Sequence, residues 1–207
     1  MSAARTVLAV VDLQRDFCSR EAAARHALDP ALLEGVVDRT ADAVDRARAA
    51  GVEVVFVRFV GDEDRQGASW RHRDLARGKP PKCLEGSPGA AFHGVAPDPG
   101  ERVFTKYACF DAFLGEGFED HLRARATAHL VLAGVYADVC VDTTARTAFQ
   151  KGLHVTVLAD CTTSLHLPAP DILGFMERVY GARLLPRTDP GVWDHPALAT
   201  ERQPCPG

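Results

Sequence analysis

A chain of 207 residues, 46% hydrophobic and 25% charged, has the material for one sizeable core, so a single domain over 1–207 is expected. Its formal net charge of −4 offers no general attraction to a nucleic-acid backbone or an anionic membrane surface, which leaves a small-molecule or protein partner. The cysteines at 18, 83, 109, 140, 161 and 205 lack metal-site CxxC spacing, and no apolar run approaches the ~20 residues of a membrane span or the layout of a signal peptide, so reduced thiols and a cytoplasmic location are expected.

In chain order, Thr6 to Val11 is a continuous β-branched and aliphatic run ending at Asp12, the pattern of a strand buried on both faces of a parallel sheet. Pro30 to Ala50 has apolar residues at helical spacing and stops at Gly51, and Val52 to Phe59 reads as a second strand. A strand-helix-strand unit of this kind predicts a right-handed parallel crossover. Gly61 to Gly100 is rich in Gly, Pro, charge and isolated aromatics without sustained periodicity, and is expected to be an excursion that walls a site.

Regularity resumes with a short strand at Arg102–Thr105, a helix at Phe118–Arg125 and a strand at His129–Val135. A helix at Val139–Lys151, a strand at Val155–Ala159, a helix at Pro170–Tyr180 and a strand at Arg183–Leu185 follow. The alternation predicts an α/β fold of three layers, α/β/α and Rossmann-like, with six mostly parallel strands. The core spans 5–186, and the tail from 195 to 207 is expected to fray or to pack on a neighbour.

Ligands of open α/β sheets lie beyond the carboxyl ends of the strands. Asp12 ends the first strand, Lys106 follows the third, and Cys140 falls in the first turn of the helix after the fourth. A thiol at a helix N-terminus beside an ammonium is biased towards thiolate, and a carboxylate can take its proton and return it to a leaving group. Alone, each residue has a plainer explanation: a buried small hydrophobe, a strand-end cap, a solvated charge. Their value is joint. The strand-to-helix turn could present the amides of Tyr136 and Cys140 to an oxyanion. Phe17 and Tyr136, with Phe110 and Trp70, are candidate pocket walls, although aromatics including Phe113 are core by default. Asp16 is expected to bond backbone, Asp138 to cap the helix, and His72, His93 and His166 to lie at the surface or in satisfied core positions.

Asp12-Leu-Gln-Arg-Asp-Phe17, Lys106 followed by Tyr-Ala-Cys-Phe110, and Gly134 to Ala145 around Cys140 resemble the three motifs of isochorismatase-like cysteine hydrolases, in order from about residue 5 to 186. That superfamily includes nicotinamidases, carbamoyl-amide hydrolases and isochorismatases. The resemblance implies a Cys140–Asp12–Lys106 triad, a non-proline cis peptide at Val135-Tyr136, and dimers or tetramers. Nicotinamidases of the group carry Asp and several His after the second strand; here the segment is Phe59-Val-Gly-Asp62-Glu-Asp-Arg-Gln, and His72 stands alone. No metal or other cofactor is therefore expected.

Isochorismatases commonly have glycine at the nucleophile's position, whereas Cys140 is present here. Hydrolysis of a small amide or carbamoyl-type bond through an acyl-enzyme is the leading expectation. Acid-catalysed vinyl-ether cleavage by Asp12 and a non-catalytic binding role are its rivals.

Overall fold

The computed structural model describes residues 5–196 and 198; the last residues of the tail, with Cys205, lie outside them. The first strand, β1 (Arg5–Val11), is buried along almost its whole length. Val7, Ala9 and Val11 face one side of the sheet and Leu8 and Val10 the other, so both faces must be covered. Five more strands join it: β2 (Glu53–Val60), β3 (Arg102–Tyr107), β4 (Thr127–Gly134), β5 (His154–Leu158) and β6 (Arg183–Leu185). Their order is β3-β2-β1-β4-β5-β6, with every neighbouring pair parallel. The expected six-stranded, three-layer α/β fold is thus what the chain adopts.

On one face lie α1 (Arg15–Cys18), α2 (Arg20–Arg25) and the long α3 (Pro30–Ala49), whose Leu33, Val36, Ala43, Val44 and Ala47 pack on Leu8, Val10 and Phe56. Asp29 caps α3 by accepting the Ala31 N–H at 2.9 Å, and Pro30 fills its first turn, where the missing donor costs nothing. The other face is covered by α5 (Phe118–Ala124), α6 (Asp142–Gln150) and α7 (Ala169–Tyr180) through Phe118, Leu122, Ala145, Ala148, Ile172 and Met176. No helix among the described residues is long and apolar enough to cross a membrane. Among the described cysteines, Cys18, Cys83, Cys109, Cys140 and Cys161 are free thiols.

Three differences from the sequence reading bear on function. First, the 61–100 excursion contains a helix, α4 (Ala68–Ala76), with no buried residue; lacking an apolar stripe, it left no periodic signal. Second, β3 runs on to Tyr107, so Lys106 lies inside the strand, paired with Phe59, rather than after it. A buried lysine breaks the apolar pattern that marks a strand interior. Third, the helix expected from Val139 begins as a π-helical turn at Ala137–Val141, and Cys140 belongs to that turn.

The strands run outwards in opposite directions from β1 and β4, which makes the gap beyond their carboxyl ends the switch point where ligands of such sheets bind. Gly134 closes β4 with φ +109°, and a Cβ there would sit 2.1 Å from the Val11 carbonyl oxygen, so only glycine lets the central strands approach this closely. The Val135-Tyr136 peptide that follows is cis.

Candidate active site

Asp12, the first residue past β1, has φ 53°, a left-handed conformation that aspartate tolerates better than most residues. Its N–H donates to Val57 O at 2.9 Å, and its carbonyl accepts from Gln14 N–H at 2.7 Å. Gln14 then pins this bend: its Nε2 donates to Phe59 O and Ala90 O, both at 2.9 Å, and its Oε1 accepts from Phe59 N–H at 2.7 Å. Sequence reasoning assigned Gln14 no role. Its partners lie far along the chain, so its only sequence signal was its place within the Asp12–Phe17 motif.

Asp12, Lys106 and Cys140 meet. Lys106 Nζ lies 2.7 Å from Asp12 Oδ2 and donates to Cys140 Sγ at 3.4 Å and to Cys109 O at 3.0 Å. The last two are hydrogen bonds and the first is an ion pair, so the ammonium is met on three sides. The Phe59 ring lies 5.0 Å from the same Nζ. Relative exposure is 1% for Asp12, 0% for Lys106 and 7% for Cys140, so water screens none of them well. Neither Asp12 oxygen has a directed hydrogen bond, although Oδ2 touches the ammonium.

Burial sets the electrostatics. It pushes the Asp12 carboxyl above its ordinary range, with Lys106 opposing. It also pushes the Cys140 thiol well above 9.0, again with Lys106 opposing and with Asp12 adding to the rise. The expected lowering of the thiol pKa is therefore corrected: desolvation outweighs the ammonium in the resting site. Burial by itself would lower the Lys106 ammonium, but Asp12 and Cys140 beside it prevail and hold it above its usual value. The cluster then has one fixed cation and one anionic charge available to either carboxylate or sulfur. Moving a proton from thiol to carboxylate leaves its net charge unchanged, so that step buries no additional charge.

Around Cys140 the Tyr136 carbonyl accepts from Val139 N–H at 3.0 Å and Val141 N–H at 3.1 Å, on either side of the Cys140 amide. Asp138 is not the helix cap that the sequence suggested. Its carboxylate accepts the N–H groups of Leu165 (2.8 Å), His166 (2.6 Å) and Leu167 (2.9 Å), fastening the loop after β5 to the turn that carries Cys140.

A cleft of about 400 Å³ opens on Asp12 and Cys140. Phe17, Tyr136, Trp70 and Phe110 all line it. Tyr136 is fixed by its hydroxyl, which donates to Phe17 O at 2.6 Å. Trp70 stands between Phe59 (5.8 Å) and Phe110 (4.8 Å), with the Arg73 guanidinium 4.0 Å from its ring centre. Phe113 stays in the core, 5.1 Å from Phe118. His166, exposed as expected, also reaches the cleft wall, as do His26 and Lys82.

Among the described residues no three His, Cys, Asp or Glu side chains group to hold a metal ion. Asp62, at the position where a metal motif would start, instead accepts Glu85 N–H at 3.0 Å. The donor set does not fit a metal centre.

The isochorismatase domain family model matches residues 6–173. The chain is 31% identical over 171 residues to the nicotinamidase/pyrazinamidase of Mycobacterium tuberculosis, covering 76% of this chain and 86% of that protein. It is 29% identical over 177 residues to ureidoacrylate amidohydrolase of Stutzerimonas stutzeri, covering 78% and 71%. The crystal structure of N-carbamoylsarcosine amidase from Thermoplasma acidophilum superposes with a TM-score of 0.75 over 89% of this chain and 98% of that one, a likeness of fold at 23% identity.

Proposed function

The chain belongs to the isochorismatase family, and on that premise we propose that it is a hydrolase of small amide or carbamoyl carbon–nitrogen bonds, acting through a covalent intermediate on Cys140. The observation that carries this reading is the three-way contact of Lys106 with Asp12 and Cys140 at the edge of a cleft. Asp12 takes the thiol proton as the sulfur attacks the carbonyl carbon, and the Lys106 ammonium balances whichever of the two is anionic. The amides of Tyr136 and Cys140 receive the developing oxyanion. Asp12 returns the proton to the departing amine. It then takes one from the water that attacks the thioester, and that proton goes back to sulfur as the acid leaves. The relatives named nicotinamidase and ureidoacrylate amidohydrolase support the amide bond as the target.

The test is a pair of variants assayed on a panel of amides, ureas and isochorismate. Cys140→Ala is expected to abolish turnover and the acyl adduct seen by intact mass after rapid quenching. If Cys140→Ala keeps full activity while Asp12→Asn loses it, the chemistry is instead acid-catalysed cleavage of a vinyl ether, a role that the raised Asp12 pKa also suits.

A further inference from the structure

Lys82 brings an ammonium to the cleft, whose wall also holds Lys79. Lys106 lies over the Phe59 ring, and Lys82 Nζ lies 5.8 Å from the centre of Phe17, which packs edge-on against Phe59 at 5.7 Å. The two cations thus flank one aromatic pair, with Cys140 on the Phe59 side. Lys106 is neutralised by Asp12; Lys82 is not neutralised in this way. Its hydrogen-bond partner is His26 Nε2 at 2.8 Å, and among the described residues no carboxylate lies within ion-pair distance of it.

Both groups are held in place. Lys82 precedes Cys83, whose N–H donates to Asp16 Oδ2 at 2.7 Å, and His26 closes α2 with its N–H on the last carbonyls of that helix. Asp16, the acid whose charge acts on Lys82, is engaged by that amide and by Arg25, 3.9 Å away. Lys79 and Arg25 add positive charge around the pair. Burial first, then Lys82 and the other cations, hold His26 down at about 4, and burial first, then Arg25 and Lys79, lower Lys82. A half-buried ammonium bonded to a neutral imidazole, beside other cations and with no carboxylate in contact, is arranged to receive one.

We propose that Lys82 and His26 bind a carboxylate carried by the substrate, so that the molecule cleaved at Cys140 is a small anionic amide whose unreactive body lies against Phe17 and Tyr136. This rests on the amide-hydrolase reading above and adds the charge of the substrate to it. A charge-assisted hydrogen bond in a half-buried site corresponds to about a tenfold to hundredfold preference for the anion.

The experiment uses the full chain with two matched pairs, succinamate against succinamide and glutaramate against glutaramide, and measures succinate and glutarate binding by calorimetry. The amic acids are expected to be preferred by tenfold or more in kcat/KM, through KM. Lys82→Gln should reduce that charged-to-neutral ratio about tenfold, Lys82→Arg should keep most of it, and Lys82→Glu should favour the neutral member. His26→Gln, expected to lower the ratio severalfold, decides the matter if the Lys82 variants do not fold. Diamides cleaved as well as amic acids, with the same ratio and the same dicarboxylate binding in wild type and Lys82→Gln, overturn the anion site and leave the hydrolase reading standing. Dicarboxylates that bind in a Lys82-dependent way to a protein that cleaves no amide do the reverse.

Discussion

Lys106 is the residue whose neighbours matter most, because it is a fully buried cation whose charge is met by two groups that compete for one proton. The residue types needed for that arrangement could be read directly: an acid, a base and a thiol near strand ends have few other reasons to be paired. Their energetics could not, since a helix start and a nearby lysine argue for a lowered thiol pKa, whereas the actual burial reverses the sign. The difference is measurable in the pH dependence of kcat/KM. Protonating the shared anion stops attack, so activity rises with pH through a midpoint above the ordinary 3.8 of aspartate, because Asp12 is raised. It stays level past 9.0, because the thiol is raised too and the ammonium above its usual range. Lys106→Met removes the cation that opposes both rises and should move the acid limb further up while lowering kcat. An acid limb at or below 3.8 in the wild type would contradict the buried cluster.

The strands β1, β2 and β4 were legible as elements because burial on both faces demands unbroken apolar runs, and α3 because its cap, stripe and terminal glycine agree. Helices α1, α2 and α4 were not, being short and largely polar; a π-helical turn has no residue signature, only the unusual pairing of the Val141 amide with the Tyr136 carbonyl. Such turns recur at functional sites because they re-aim one side chain without ending the helix. Gly134 is the hinge of this region, since the chain passes directly from it to Tyr136 and the Cys140 turn. Gly134→Ala puts a methyl group 2.1 Å from backbone that cannot swing aside and forces alanine to φ +109°. That combination should destabilise the fold by more than about 3 kcal/mol and displace the turn, so urea unfolding and amide turnover should fall together. A variant that keeps both would show that β1 and β4 do not need this approach.

At the scale of the molecule, the cores on the two sides of the sheet meet at the site, one contributing Cys140 and the other Tyr136. The site was foreseeable in outline, because the order of elements alone sends residues 12 and 140 to the switch point. Its aromatic walls were named as well, but the anchors at Gln14 and Asp138 were not, because they act by gripping loops that are distant in sequence. This division of labour predicts that the two ends of one strand fail differently. Leu130 is fully buried in β4 beside Val7 and Val155, four residues before Gly134 and so roughly 13 Å from it along the strand. Leu130→Ala leaves a cavity and should cost about 2–5 kcal/mol, lowering Tm by about 2–4 °C per kcal/mol for a chain of this size. The loops that carry Asp12 and Cys140 are pinned at the other end of the sheet. The folded fraction of Leu130→Ala should therefore keep kcat/KM within about twofold of wild type, by the additivity of distant sites. Thermal unfolding and active-site-normalised kinetics on the same sample separate the two quantities. If activity falls as steeply as stability, the cleft depends on core packing rather than on its own loop anchors.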